Sequence, residues 1–272
     1  MNDLVLGACV AVAIVAAVRS TWSPCGQSML SSITPMSERA RNQHWGVTAT
    51  WFVIGAVAGG ATLGAPTALL AAGVAALGPT TLTLAAIGAG CALVAASLDL
   101  GAFGLAPPYL RRQVNEIWLG TYRGWLYGVG FGWQIGVGIT TYVMTAAVFL
   151  TIALAALTTD PLVAFAIATL FGLIRGLGVL LARKIDSPAQ LASFHRRFHD
   201  LGPSTRAAAI VVQLVVAVVL AWSAAGAAVG LALIVVIGLV AVIGRVGEFS
   251  RGAGHRGAPS GDRELRQRAE VG

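Results

Sequence analysis

Seven long stretches of this chain carry almost no charge, and they constrain its fold more than any other feature. They lie near 4–22, 46–72, 80–104, 125–157, 161–182, 207–223 and 226–244. A membrane-crossing helix needs about 20 predominantly apolar residues. Lipid offers no partner for backbone N–H and C=O groups, so uncharged runs of this length must pair those groups internally, as helices. The whole sequence is 57% hydrophobic and only 11% charged, against about 25% charged in a soluble domain. The fold class expected is therefore all-α, a polytopic membrane helical bundle.

The charges between the runs predict the orientation. Arg39 and Arg41 follow the first run, and Arg111, Arg112 and Arg123 follow the third. Arg183, Lys184, Arg196, Arg197 and Arg206 follow the fifth, and six arginines follow the seventh. The connections near 73–79, 158–160 and 224–225 contain no Lys or Arg. Basic connections stay cytoplasmic, so seven spans put the N-terminus outside and the C-terminus in the cytoplasm. Six spans is the alternative count. The net charge of +7 is thus an orientation signal on a cytoplasmic (inner) membrane protein, and no nucleic-acid partner is implied. Met1-Asn2-Asp3 lacks a positive n-region, so the first run reads as a retained span. Residues 1–247 form the transmembrane domain. Residues 248–272 read as a disordered basic cytoplasmic tail, with membrane lipid as a partner.

The fourth run is too long for one straight crossing, at about 50 Å, and too short for two crossings with a turn. It is expected to be one tilted or broken helix. Gly120, Gly124, Gly128, Gly132 and Gly136 recur every fourth residue along it. Such a ridge lets another helix approach closely in lipid. Gly130 and Gly138 widen it, and Gln134, Thr140 and Thr141 supply polar groups to freed backbone. The ridge serves either plain packing or a hinge beside a passage.

Ser23-Pro24-Cys25-Gly26 ends the first run. Pro24 lacks a backbone donor and clashes with the preceding turn, so a kink is expected there. Exposed broken backbone is not tolerated in lipid, so the segment must face protein or water. Ser28, Ser31, Ser32 and Thr34 are then expected to line that space. Cys25, shaped by Pro24 and Gly26, is the candidate catalytic residue. Cys9 and Cys91 sit on plain apolar helices and read as packing. Asp99 and Arg175 are ionisable residues inside the third and fifth runs. Intramembrane charges pair or mark a pathway, so an Asp99–Arg175 pair is expected, with separate snorkelling as the alternative. His195 and His199 fall in SFHRRFHD, an expected amphipathic interfacial helix. Arg111-Arg112-Gln113 with Trp118, Tyr122 and Trp125 reads as a juxtamembrane anchor. No zinc-type spacing, nucleotide loop or hydrolase motif occurs, so no metal and no cofactor is expected.

A first span ending in Ser23-Pro24-Cys25, followed by polar residues and Pro35, resembles the transmembrane domain of the DsbD/CcdA superfamily. The Gly-rich stretch Gly130-Phe131-Gly132-Trp133-Gln134-Ile135-Gly136 occupies the place of that family's second broken helix. The resemblance implies inverted three-helix repeats with discontinuous first and fourth helices. It implies a thiol-disulfide electron carrier that moves reducing equivalents across the membrane, with thioredoxin or a thioredoxin-fold protein as partner. Two departures stand out. Ser28 replaces a proline, and the fourth run holds no cysteine to match Cys25. A non-redox exporter of a small solute or ion, using the same broken helices, and a structural membrane subunit are the alternatives.

Overall fold

The computed structural model describes residues 2–101 and 122–225. The seventh run, the tail from 248, Gly120 and the Arg111–Trp118 anchor segment lie outside the described residues. Within them every regular element is helical. The helices are α1 (Asn2–Ser20), α2 (Pro24–Ser32), α3 (Pro35–Ala40), α4 (Trp45–Ala76), α5 (Thr81–Leu100), α6 (Gly124–Val137), α7 (Ala147–Leu157), α8 (Pro161–Leu177) and α9 (Pro188–Ala225). A 3-10 turn, Gly178–Ala182, prolongs α8. Four stretches, Trp45–Ala76, Thr81–Leu100, Pro161–Ala182 and Pro188–Ala225, are long and apolar enough to cross a membrane. The bent pair of α1 and α2 makes a fifth if it counts as one span. Large apolar side chains such as Leu69, Leu77 and Leu162 face outward, 75–82% exposed. Only lipid covers such a surface at low cost, and the chain is a membrane-embedded protein.

The first helix breaks where expected, by a different route. α1 ends at Ser20. The N–H groups of Thr21, Trp22 and Ser23 then donate three residues back, to Val18, Arg19 and Ser20. Ser23 turns to extended backbone and caps α2, its hydroxyl accepting from Gly26 N at 3.2 Å. Pro24 is therefore not a kink inside a helix. It occupies the first turn of α2, where its missing N–H costs nothing. The two segments meet at 64°. Gly26 is obligatory in this turn, because a β-carbon there would lie 2.1 Å from the Thr21 carbonyl oxygen.

α4 is the central post, packed chiefly against α6 and α8. The glycine ridge explains how closely. β-carbons on Gly132 and Gly136 would lie 2.0 and 2.1 Å from the carbonyl oxygens of Phe52 and Ala56. Gly55 and Gly59 return the arrangement from α4, facing Val129 and Trp133. On the other side of α4, Gly60 meets Gly172 of α8 backbone to backbone. Small residues at a four-residue spacing thus bring three helices into contact. Gly130 is half-buried and off this ridge. Gly138 does not extend it; its φ of 77° ends α6.

The remaining long helices pack against α7, α8 and one another. α1 packs on α7, α8 and α9, and α5 on α9. The segment around His195 and His199 is not a separate interfacial helix. It forms the first part of α9, which continues past Pro203 into the sixth apolar run.

Candidate functional site

The fourth run is broken between α6 and α7, over residues 138–146. Any such break leaves carbonyls at the end of one helix and N–H groups at the start of the next without helical partners. The two charged residues inside the apolar runs meet this need from opposite sides. Asp99, buried on α5, accepts from Ala146 N at 2.7 Å and from the Thr145 hydroxyl. Thr145 in turn accepts from Ala147 N at 3.2 Å. A carboxylate thus sits on the N-terminus of α7, where the helix dipole favours a negative charge. Arg175, buried on α8, donates Nη1 to Ile135 O at 2.7 Å, at the C-terminal end of α6. There the dipole favours a cation.

The expected Asp99–Arg175 pair is therefore not formed, and neither residue snorkels. Gln213 of α9 donates to Asp99 at 2.6 Å, and Arg206 holds the Asp99 backbone carbonyl with Nε and Nη2 at 3.1 and 2.7 Å. Arg175 lies over the Phe171 ring, 5.7 Å from its centre. The physical reason is that exposed helix ends compete for buried charge. A helix terminus left bare in lipid costs more than separating two charges that each find a dipole.

Cys25 lies at the second position of α2, 1% exposed, among Met29, Phe131, Ile135 and Val179. It is within electrostatic range of the Arg175 guanidinium. One arginine thus connects the end of broken α6 with the thiol of the first broken helix. Three buried side-chain atoms among the described residues have no hydrogen-bond partner: Arg175 Nη2, Thr141 Oγ1 and Gln213 Oε1. Two of them belong to the second break or its cap, and the third belongs to the group holding Asp99. Gln134 contributes its backbone carbonyl, which accepts from the Thr140 hydroxyl at 3.3 Å.

The polar residues of 28–34 do not all line a cavity. Thr34 caps α3 through Ser37 and is fully buried. Ser31 bonds His195 Nε2 at 3.0 Å. Trp22, inside the first break, stacks on Phe198 at 4.2 Å and donates to its carbonyl at 2.7 Å. The first part of α9 therefore clamps the first break. Cys9 is packed in the core, and Cys91 is half-buried on α5. No three His, Cys, Asp or Glu side chains converge among the described residues.

Glu38 escaped the sequence reading. It is fully buried, holds Arg41 at 2.9 Å, and accepts from the hydroxyls of Thr48 (2.6 Å) and Tyr127. This network ties α3 to α4 and α6 beneath Cys25's cluster. Its only local signal was an acid set just before Arg39 and Arg41 in a connection read for its positive charge.

No family model matches this chain, and no solved structure matches it. It is similar to the methylamine utilization protein MauF of Methylophilus methylotrophus, with 32% identity over 182 residues, 64% of this chain and 61% of that one. MauF of Methylobacillus flagellatus is 29% identical over 182 residues, covering 64% and 62%. MauF of Methylorubrum extorquens is 28% identical over 155 residues, covering 55% and 53%. The chain thus spans about three fifths of the length of the curated relatives it matches.

Proposed function

We propose that this membrane protein is a carrier of the DsbD/CcdA type that passes reducing equivalents through Cys25, in the process for which its MauF relatives are named, methylamine utilization. The observation that carries this reading is the meeting of two broken helices at one buried thiol and one buried guanidinium. In repeat-built carriers, broken helices at the repeat interface form the site. On this reading α1–α2 and α6–α7 are the matching discontinuous helices of two inverted three-helix repeats in a seven-span bundle. The protein sits in the cytoplasmic membrane with its N-terminus outside.

With one sulfur in the site, exchange runs through mixed disulfides. The Cys25 sulfur attacks a disulfide of the acceptor protein, that S–S bond breaks, and the departing sulfur leaves with the electron pair. A reduced thioredoxin-fold dithiol then attacks the Cys25 sulfur and releases the acceptor as a dithiol. The donor's second thiol displaces Cys25 and closes the donor's own disulfide. Two electrons pass from donor to acceptor, and Cys25 returns unchanged. Arg175 supplies a counter-charge for the anion formed on sulfur during each transfer. Since Cys25 is 1% exposed, transfer requires the breaks to open.

The test is the redox state of Cys25 in a background where Cys9 and Cys91 are replaced by Ala. Maleimide mass-tagging is compared between cells with and without thioredoxin. A carrier shows Cys25 shifting to the disulfide-linked form when thioredoxin is absent. No shift, with Cys25→Ser retaining full function, rejects the redox reading. The unpartnered Arg175 Nη2 and Thr141 Oγ1 beside the second break favour the alternative, a non-redox carrier of a small polar solute. That reading gains if Cys25→Ser spares function while Asp99→Asn abolishes it. Restoration of growth on methylamine in a Methylophilus strain lacking MauF tests the assigned process.

A further inference from the structure

A second polar site lies on the flank where α1 meets α9, edged by Trp22 of the first break and Met144 of the second. It is an open cleft of about 660 Å³. One wall is cationic and amphipathic, formed by Arg19, Arg206, His199 and Trp22. The rest of the lining includes the apolar Leu100, Met144 and Ile210, with Ile210 one turn beyond Arg206 on α9. Among the described residues, none that lines it is acidic. Asp99 is within electrostatic range of Arg19, but its oxygens are committed to Thr145, Ala146 and Gln213.

The two guanidinium groups are close enough to repel each other, yet both are held in place. Arg19 Nη1 donates to Gly202 O at 3.0 Å and Thr205 Oγ1 at 3.1 Å. Arg206 is fastened by two bonds to the Asp99 carbonyl. Like charges fixed side by side over a cleft are stabilised when an anion joins them, and guanidinium groups match phosphate oxygens. Both arginines stand where an apolar run meets a polar connection: Arg19 in the last turn of α1, Arg206 just before the sixth run. That is headgroup level, where basic pockets between helices take anionic headgroups and Trp is enriched.

We propose that this cleft binds the phosphate of an anionic phospholipid, with Arg19 and Arg206 on the headgroup and Leu100, Met144 and Ile210 against its chain. A free phosphate would satisfy the arginines but leave the apolar lining bare, which favours the lipid. The site is independent of the thiol chemistry proposed for Cys25.

Native mass spectrometry of the purified full chain tests this with equal amounts of phosphatidylglycerol and phosphatidylcholine added in detergent. The expected result is roughly tenfold preferential retention of phosphatidylglycerol, unaffected by excess inorganic phosphate. Arg19→Gln removes one guanidinium. Ala207→Trp fills the cleft from an exposed position without breaking an internal hydrogen bond. Both are expected to bring the preference to within about twofold, with Ala207→Trp unfolding at the wild-type temperature. Equal retention of the two lipids overturns the proposal. So does a preference that survives both substitutions, and so does displacement of the lipid by inorganic phosphate alone.

Discussion

The two helix breaks solve one problem in opposite ways. The first, at 21–23, closes itself: three backbone N–H groups fold back three residues, Ser23 caps the next helix, and Pro24 needs no donor. Everything required lies within nine residues, Val18 to Gly26. The second, at 138–146, is closed from outside. Its two ends are held by Asp99 and Arg175, about 40 residues away in sequence, and Asp99 is held by Gln213, 114 residues away. A locally closed break satisfies its own backbone groups and leaves only Trp22 to be held from outside, by Phe198 of α9. A remotely closed break exists only while its neighbours stay put, so motion of α5 or α8 reopens it. On the proposed reading, the first break carries the chemistry and the second controls access to it.

Removing the remote support therefore has the largest expected effect. Asp99→Leu strands the Thr145 hydroxyl, Ala146 N and Gln213 in a buried site, and unfolding in detergent is expected to fall by about 3–5 kcal/mol. A loss below about 1 kcal/mol would show that the second break closes itself as the first does. Next comes the first break's own glycine. Gly26→Ala forces a β-carbon against the Thr21 carbonyl, which backbone cannot yield, and about 2–3 kcal/mol is expected. Gly73→Ala, with nothing within 4 Å, is expected to stabilise α4 by about 0.5–1 kcal/mol in the same assay. Ser23→Ala loses one cap and about 1 kcal/mol. The smallest effect separates the caps from an ion pair. In a cycle of Asp99→Asn and Arg175→Gln, the two losses should add to within about 0.5 kcal/mol. A coupling well above that would restore the pair that the charges alone suggest.

Much of this layout was legible in the residues. The uncharged runs announce a membrane bundle, Pro24 announces an interruption after the first run though not its cap, and glycines four apart predict a close helix approach, which α4 and α6 make. The length of the fourth run predicts a tilted or broken helix, and the structure breaks it at 138–146. What the residues could not reveal was partnership. Asp99 and Arg175 are visible as buried charges, and opposite charges in lipid invite pairing. Only the fold shows that each instead faces an open helix end. Glu38 was hidden for a similar reason, since its Tyr127 and Thr48 partners come from other helices. Arg206 reads as an orientation signal until α9 brings it beside Arg19, a residue the charges between runs left out.

The central claim is that Arg175 joins the second break to the thiol of the first. The most direct measurement is the alkylation rate of Cys25 by a membrane-permeant maleimide, with Cys9 and Cys91 replaced by Ala. Wild type should react during turnover, and Arg175→Gln should slow the reaction about tenfold while leaving the protein folded. An equal rate in both proteins, or a Cys25 that reacts in neither, would contradict the account.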